Sequence, residues 1–183
     1  MDGKPGVNAE KIAANEESID FTNGALTQFL IKLSTCVDER DEQKIGSYFH
    51  VLNDLERIGD HAENFHEIGQ EMLGKKLAFS DTALTDIKQM YNVVIDMIAI
   101  AKDAFDTENP DRLPSLTQLE NRTDEMKRDY SAKHFSRLSE GHCSLEVSPY
   151  YTSTITGLER VADHIVNVGY SICNPVGDDK EYN

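Results

Sequence analysis

Two ten-residue strings carry the polar side chains most able to do chemistry in this chain. LERIGDHAEN (55–64) lies over LERVADHIVN (158–167) at an offset of 103, with six of ten positions identical. Leu55, Glu56, Arg57, Asp60, His61 and Asn64 recur as Leu158, Glu159, Arg160, Asp163, His164 and Asn167. A second correspondence precedes each string: Glu16 and Asp20 lie four apart, as do Glu120 and Asp124, at an offset of 104. Two matches at almost one offset imply a duplicated unit. Duplicated core positions usually keep only apolar character, whereas here acids and an amide are retained.

On a helix, Glu56, Asp60 and Asn64 stack one above another at a rise of about 6 Å per step. Like charges at that spacing destabilise a helix by about a few tenths of a kcal/mol unless something neutralises them. A cation is the economical candidate. If the preceding helices pack against the motif helices, each unit presents four acids across one helix interface: Glu16, Asp20, Glu56 and Asp60, then Glu120, Asp124, Glu159 and Asp163. Hard oxygen ligands favour Mg²⁺, Mn²⁺, Ca²⁺ or iron over a thiolate-preferring ion. The competing reading is a solvated acidic face with Arg57 and Arg160 pairing locally, and Glu17 offers Glu16 and Asp20 a second register.

His61 and His164 point roughly 100° away from the neighbouring acids, which suits packing beside the site better than ligation. His50, His66, His134 and His142 have no counterpart in the other unit and read as surface residues. Glu63 and His66 form the Glu-x-x-His pattern of di-iron carboxylate bundles, which needs the motif twice; the equivalent positions hold Val166 and Gly169.

The elements that must position these groups are helical. Of 183 residues only 11 are Gly and 5 Pro, and Trp is absent, so the turn-rich composition of a β-sandwich is missing. Apolar residues recur at helical spacing over 8–36, through a second helix ending at Gly74, from an N-cap at Ser80 to Asn109-Pro110, over 111–138, and over 144–173. The segment 37–43 reads as a turn. Five long helices with short connections give an all-α fold of antiparallel bundles. The first repeat spans 8–75 with two helices, the second 80–173 with three, and 1–7 and 174–183 read as flexible ends.

The formal charge of −15 argues against a nucleic-acid partner. Cys36, Cys143 and Cys173 are an odd number without metal-type spacing, which suits helix-packing thiols in a reducing compartment. No signal peptide or membrane-spanning apolar run is legible, so the chain reads as soluble.

The repeated strings resemble the signature of the PhoU family, E-R-[IV]-[GA]-D-x-x-x-N. The second half, with HFSRLSEGHCS (134–144) leading into the motif helix, looks most like the PhoU-like domain at the cytoplasmic C-terminus of bacterial sodium/phosphate cotransporter-related proteins. The resemblance covers about 8–173. It implies paired three-helix bundles, metal held by the motif acids, and regulation of phosphate uptake and homeostasis rather than catalysis. The ligands it implies are Glu56, Asp60, Glu159, Asp163, Glu120 and Asp124, with Glu16 and Asp20 as weaker matches. Asn64 and Asn167 take the motif amide position, and the ion is a divalent metal or an iron cluster (Fe, Mn, Mg or Zn). Partners would be a membrane transporter domain or a phosphate-signalling protein at the inner face of the membrane.

A full member has six helices, and five are legible. The equivalent of the helix at 80–106 is missing before residue 8. Either a longer, membrane-anchored protein supplies it or another molecule completes the bundle, and self-association is expected to cover the bare apolar stripe. An acidic interaction bundle without metal is the alternative. An enzyme ranks lowest, since no positioned nucleophile is present.

Overall fold

Long 3.6-residue periodicity without strand signals produces α1 (Pro5–Ser34), α2 (Glu39–Gly74), α3 (Asp81–Thr107), α4 (Leu113–Ser139) and α5 (Ser148–Tyr170). The computed structural model describes residues 5–173, without the side chains of 5–8, 39 and 40. No strand occurs among the described residues. Of the ends expected to be loose, 5–7 belong to α1, and 1–4 and 174–183 lie outside the described residues.

Local chemistry sets the boundaries. Ser80 caps α3 as expected, its hydroxyl accepting from the Ala83 N–H at 3.3 Å. The segment 37–43 is a turn only in part. Asp38 accepts from the Asp41 N–H at 3.1 Å and so starts α2 at Glu39, the polarity of the stretch being that of a helix start. A 3-10 turn over Pro110–Arg112, unforeseen in the sequence, sits between α3 and α4; Asn109 caps it by accepting from the Asp111 N–H at 2.9 Å. Gly141, at φ 74°, closes α4 in the left-handed region, and α5 starts at Ser148 with Pro149 in its first turn.

α5 is the central helix, packed against α2, α3 and α4. Its Tyr151, Ile155, Leu158, Val161, Ala162 and Ile165 join Met90, Met97 and Leu116 in one core. α2 and α5 run antiparallel. Lys75 meets Tyr150 at one end, the His61 and His164 rings lie 6.0 Å apart in the middle, and Asp54 meets Asn167 at the other.

The two units differ in cover. α3 lies over α4 and α5, while no described helix lies over α1 and α2. Several residues expected on buried stripes are accordingly exposed: Leu26, Phe29 and Leu33 of α1, and Leu55 and Ala62 of α2. Phe135, expected in the stripe of α4, is 67% exposed because it lies off the face that meets α3 and α5. Cys36 and Cys173 are exposed rather than helix-packing, since both sit just past helix ends.

Gly169 lets α5 approach α4 closely. A Cβ there would lie 2.5 Å from Leu116 Cδ2, and Leu116 is fully buried. Gly169→Ala is expected to cost about 1–3 kcal/mol through overpacking, measured by urea unfolding; an unchanged midpoint would show that Leu116 has room to move.

Candidate metal centre

Leu116, Thr123 and Tyr130 turn inward along α4, and Leu158, Val161, Ala162 and Ile165 do so along α5. That packing leaves Glu120 and Asp124, one turn apart on α4, at the edge facing Asp163 of α5. One carboxylate oxygen from each of the three lies within 4.8 Å of the others, and all three residues are half-buried. Thr123 helps to fix α4 here, its hydroxyl donating to the Glu120 carbonyl at 2.7 Å.

The electrostatics are those of acids crowded with less counter-charge than they carry. Burial, then Glu159 and Asp124, push the Asp163 carboxyl up to about 6, against the smaller opposing pull of Arg160 and His164. Burial also raises Glu120, followed by the charges of Asp124, Asp163 and Glu159.

Glu159 stands apart from the expected four. Lys127 Nζ lies 2.7 Å from its Oε1, so a lysine already shares that carboxylate. The other oxygen, Oε2, is buried without a hydrogen bond, and Arg160 Nε is 3.9 Å away.

The first unit's acids do not draw together in the same way. Among the described residues, Glu16, Asp20, Glu56 and Asp60 form no cluster as tight as that of the second unit. Glu16 lies in the field of Glu63 foremost, then Asp20, with Asp60 and Glu17 weaker, and its carboxyl is raised. Asp20 and Asp60 are exposed, whereas Asp124 and Asp163 are half-buried. Glu63, notable in the sequence only for its spacing from His66, is thus part of the acidic neighbourhood.

The histidines and amides play separate parts. His164 Nδ1 donates to Asp54 Oδ1 at 2.8 Å, and Asn167 Nδ2 donates to the same oxygen at 3.3 Å. Both therefore tie α5 to α2. Asp54 is 8% exposed and went unmarked in the sequence, although it faces a glycine, Gly157, at the 103-residue offset. That glycine has its own reason: a Cβ on it would meet Phe65 at 2.6 Å and stand 3.8 Å from His61 Nδ1. His61 has no such acid, and burial, then the His164 charge, lower its pKa. Asn64 is exposed on the groove it shares with Arg160.

His134, expected at the surface, is buried. It stacks on Tyr151 with ring centroids 4.4 Å apart and meets Ser148 Oγ at 2.9 Å. Tyr151 donates to Asp86 Oδ2 at 2.8 Å and Arg137 does so at 3.1 Å, a network that joins α3, α4 and α5. An isolated Asp86 on the inner face of α3 was its only sequence signal. No helix among the described residues is long and apolar enough to cross a membrane.

The family model for the PhoU domain matches residues 4–68 and 87–172. The chain is 27% identical over 172 residues to the phosphate-specific transport system accessory protein PhoU homolog 1 of Thermotoga maritima, covering 83% of this chain and 73% of that protein. It is 23% identical over 163 residues to the corresponding PhoU homolog of Clostridium acetobutylicum, covering 87% and 73%. A putative inorganic phosphate export protein, YjbB of Salmonella typhimurium, is 24% identical over 129 residues, 69% of this chain but 24% of that protein.

Two outcomes are expected for the metal-free chain. The folded value of Asp163 lies above the ordinary 3.8, so the fold binds this proton more tightly than the unfolded chain; the resulting stability is present below that value and is lost as pH rises through about 6. In urea unfolding Asp163→Asn should therefore raise stability relative to the wild type more at pH 7.5 than at pH 5; an equal change at the two pH values would refute this origin. Asp54→Ala leaves two donors unpaired and is expected to cost about 1–3 kcal/mol, with Asp54→Asn losing less; equal losses in the two would show that the acceptor oxygen is not what matters.

Proposed function

The chain belongs to the PhoU family, and on that premise we propose that it is a cation-binding accessory protein of phosphate transport. The observation that carries the reading is the approach of Glu120, Asp124 and Asp163 to within 4.8 Å of one another. Three like-charged carboxylates this close, with Glu120 and Asp163 pushed up by burial and by their neighbours, gain from a cation among them, and Glu159 Oε2 adds a buried oxygen without a hydrogen bond beside them. The all-oxygen donor set suits Mg²⁺, Mn²⁺, Ca²⁺ or iron better than zinc. The ion would supply a fixed positive charge between α4 and α5. Asp163 and Glu120 would hold it, Asp124 would complete the set, and Lys127 would limit the share of Glu159. In the first unit, Glu16, Asp20, Glu56 and Asp60 would form a looser and weaker site.

The repeats, 8–75 and 80–173, act in this reading as two PhoU-like units. The names of the relatives, accessory proteins of phosphate-specific transport, support a role in phosphate transport; in this reading the chain acts as a stand-alone regulator or as the cytoplasmic accessory domain of a sodium/phosphate cotransporter-like protein. In the export protein the aligned stretch is 24% of a longer chain, which supports the occurrence of such a unit within a larger phosphate-transport protein. The role is regulatory and non-catalytic. The open face of α1 and α2 further supports self-association.

The alternative is an acidic interaction bundle without metal, favoured by the lysine already placed on Glu159. Titration of metal-stripped protein with Mn²⁺ or Fe²⁺ separates the two. Saturating ion at about 100 times Kd should stabilise the chain by about 2.7 kcal/mol, and Asp163→Asn or Glu120→Gln should remove most of that gain. No stabilisation by any of these ions, together with basic-partner binding that falls steeply with salt, would favour the alternative.

A further inference from the structure

The joint between α2 and α5 uses its polar donors at one end and leaves them idle at the other. Where Asp54 stands, His164 Nδ1 and Asn167 Nδ2 both donate to its Oδ1, at 2.8 and 3.3 Å. At the 103-residue offset the counterparts of these donors are His61 and Asn64, and the counterpart of the acid is Gly157. Neither His61 nor Asn64 has a hydrogen-bond partner for its side chain among the described residues.

The place of the missing acid is well defined. A Cβ on Gly157 would stand 3.8 Å from His61 Nδ1, the ring nitrogen whose counterpart Asp54 holds. The chain cannot supply a carboxylate from that position, because the Phe65 ring would lie 2.6 Å from the same Cβ. Beside the ring runs a groove of about 480 Å³, lined by His61, Asn64, Ser153, Thr156 and Arg160.

The groove gathers donors without an acceptor. The Ser153 and Thr156 hydroxyls form no hydrogen bond among the described residues, and they stand where His50 and Asn53 stand at the occupied end. The Arg160 side chain is 60% exposed, and its ion-pair neighbour Glu159 is 3.9 Å away, beyond hydrogen-bond distance. The positive charges of Arg160 and Arg57 both reach His61, with Asp60 opposing them. Of the two acids in the lining, Glu71 pairs with Lys75 at 2.6 Å, and Glu67 lies more than a turn along α2 from His61. An imidazole N–H, an amide, two hydroxyls and a guanidinium offer more donors than the roughly four acceptor sites of one carboxylate, and they suit the four oxygens of a tetrahedral anion.

We propose that this groove seats a tetrahedral oxyanion of the phosphate type, which takes at one end of the joint the place that Asp54 fills at the other. Arg160 neutralises the anion, His61 and Asn64 donate to it as His164 and Asn167 donate to Asp54, and the Thr156 and Ser153 hydroxyls close around it. Both helices contribute, so the bound anion ties α2 to α5. The seat is argued from the joint alone and rests on neither the cation nor the transport reading.

Calorimetric titration of the metal-stripped full chain with inorganic phosphate tests it, stripping being needed so that no phosphate is held through a cation. Saturable binding at one site per chain is expected. Arg160→Gln should weaken it about tenfold or more. Asn64→Asp, which puts a fixed carboxylate into the groove, should abolish it. Both side chains are exposed, so helical circular dichroism should not change. Arg57→Gln, at the end that Asp54 already occupies, should keep the affinity within about twofold. No saturable binding by the wild type, or binding that survives either Arg160→Gln or Asn64→Asp, overturns the proposal. So does a loss in Arg57→Gln as large as that in Arg160→Gln. Acetate bound more tightly than phosphate would make this a carboxylate seat and overturn the tetrahedral assignment.

Discussion

Repulsion among carboxylates held together by apolar packing is the constraint on which the second unit is organised. Leu116, Leu158, Val161, Ala162 and Ile165 gain by removal from water, and their burial fixes the facing edges of α4 and α5. Glu120, Asp124 and Asp163 lie along those edges whether or not their charges favour it. Burial first, and then that opposition, displaces the Asp163 and Glu120 carboxyls upward. Lys127 relieves it at Glu159 alone. The first unit lacks a covering helix among the described residues, its acids are more exposed, and they spread further apart. Tightness of the acidic cluster thus follows from completeness of the bundle around it.

The joint between the units is asymmetric in a way that a duplicated sequence would not suggest by itself. Asp54 anchors His164 and Asn167 from across the α2–α5 contact. Its counterpart is Gly157, where the ring of Phe65 needs the space that a Cβ would take. One half of the joint is consequently a buried hydrogen-bonded cluster and the other an aromatic contact. Removing a polar partner from the first exposes unpaired donors, whereas enlarging the glycine in the second displaces a ring. The motif histidines therefore belong mainly to this joint.

Much of the architecture was legible because long amphipathic stripes, a Ser80 cap and a duplicated string report on local geometry. The offset between Glu120–Asp124 and Glu16–Asp20 also anticipated that acids on one helix would meet acids on the next, as Glu120, Asp124 and Asp163 do. What the sequence hid depends on contacts between distant segments. Lys127 meets Glu159 because helical phase and helix packing bring them together, and nothing in either string announces it. His134 has no counterpart in the first unit, yet stacking on Tyr151 buries it. Asp54 and Asp86 are single acids on apolar faces, a signal that becomes informative only when read as buried charge in need of partners. The stripe of α1 has the right period for burial, but period does not reveal whether a neighbour covers it.

Anomalous diffraction from crystals grown with Mn²⁺ tests the central claim most directly. A peak about 2.0–2.6 Å from oxygens of Glu120, Asp124 and Asp163 is the result the account predicts. An empty cluster in a crystal grown at saturating Mn²⁺, with the three carboxylates still in contact, would contradict it.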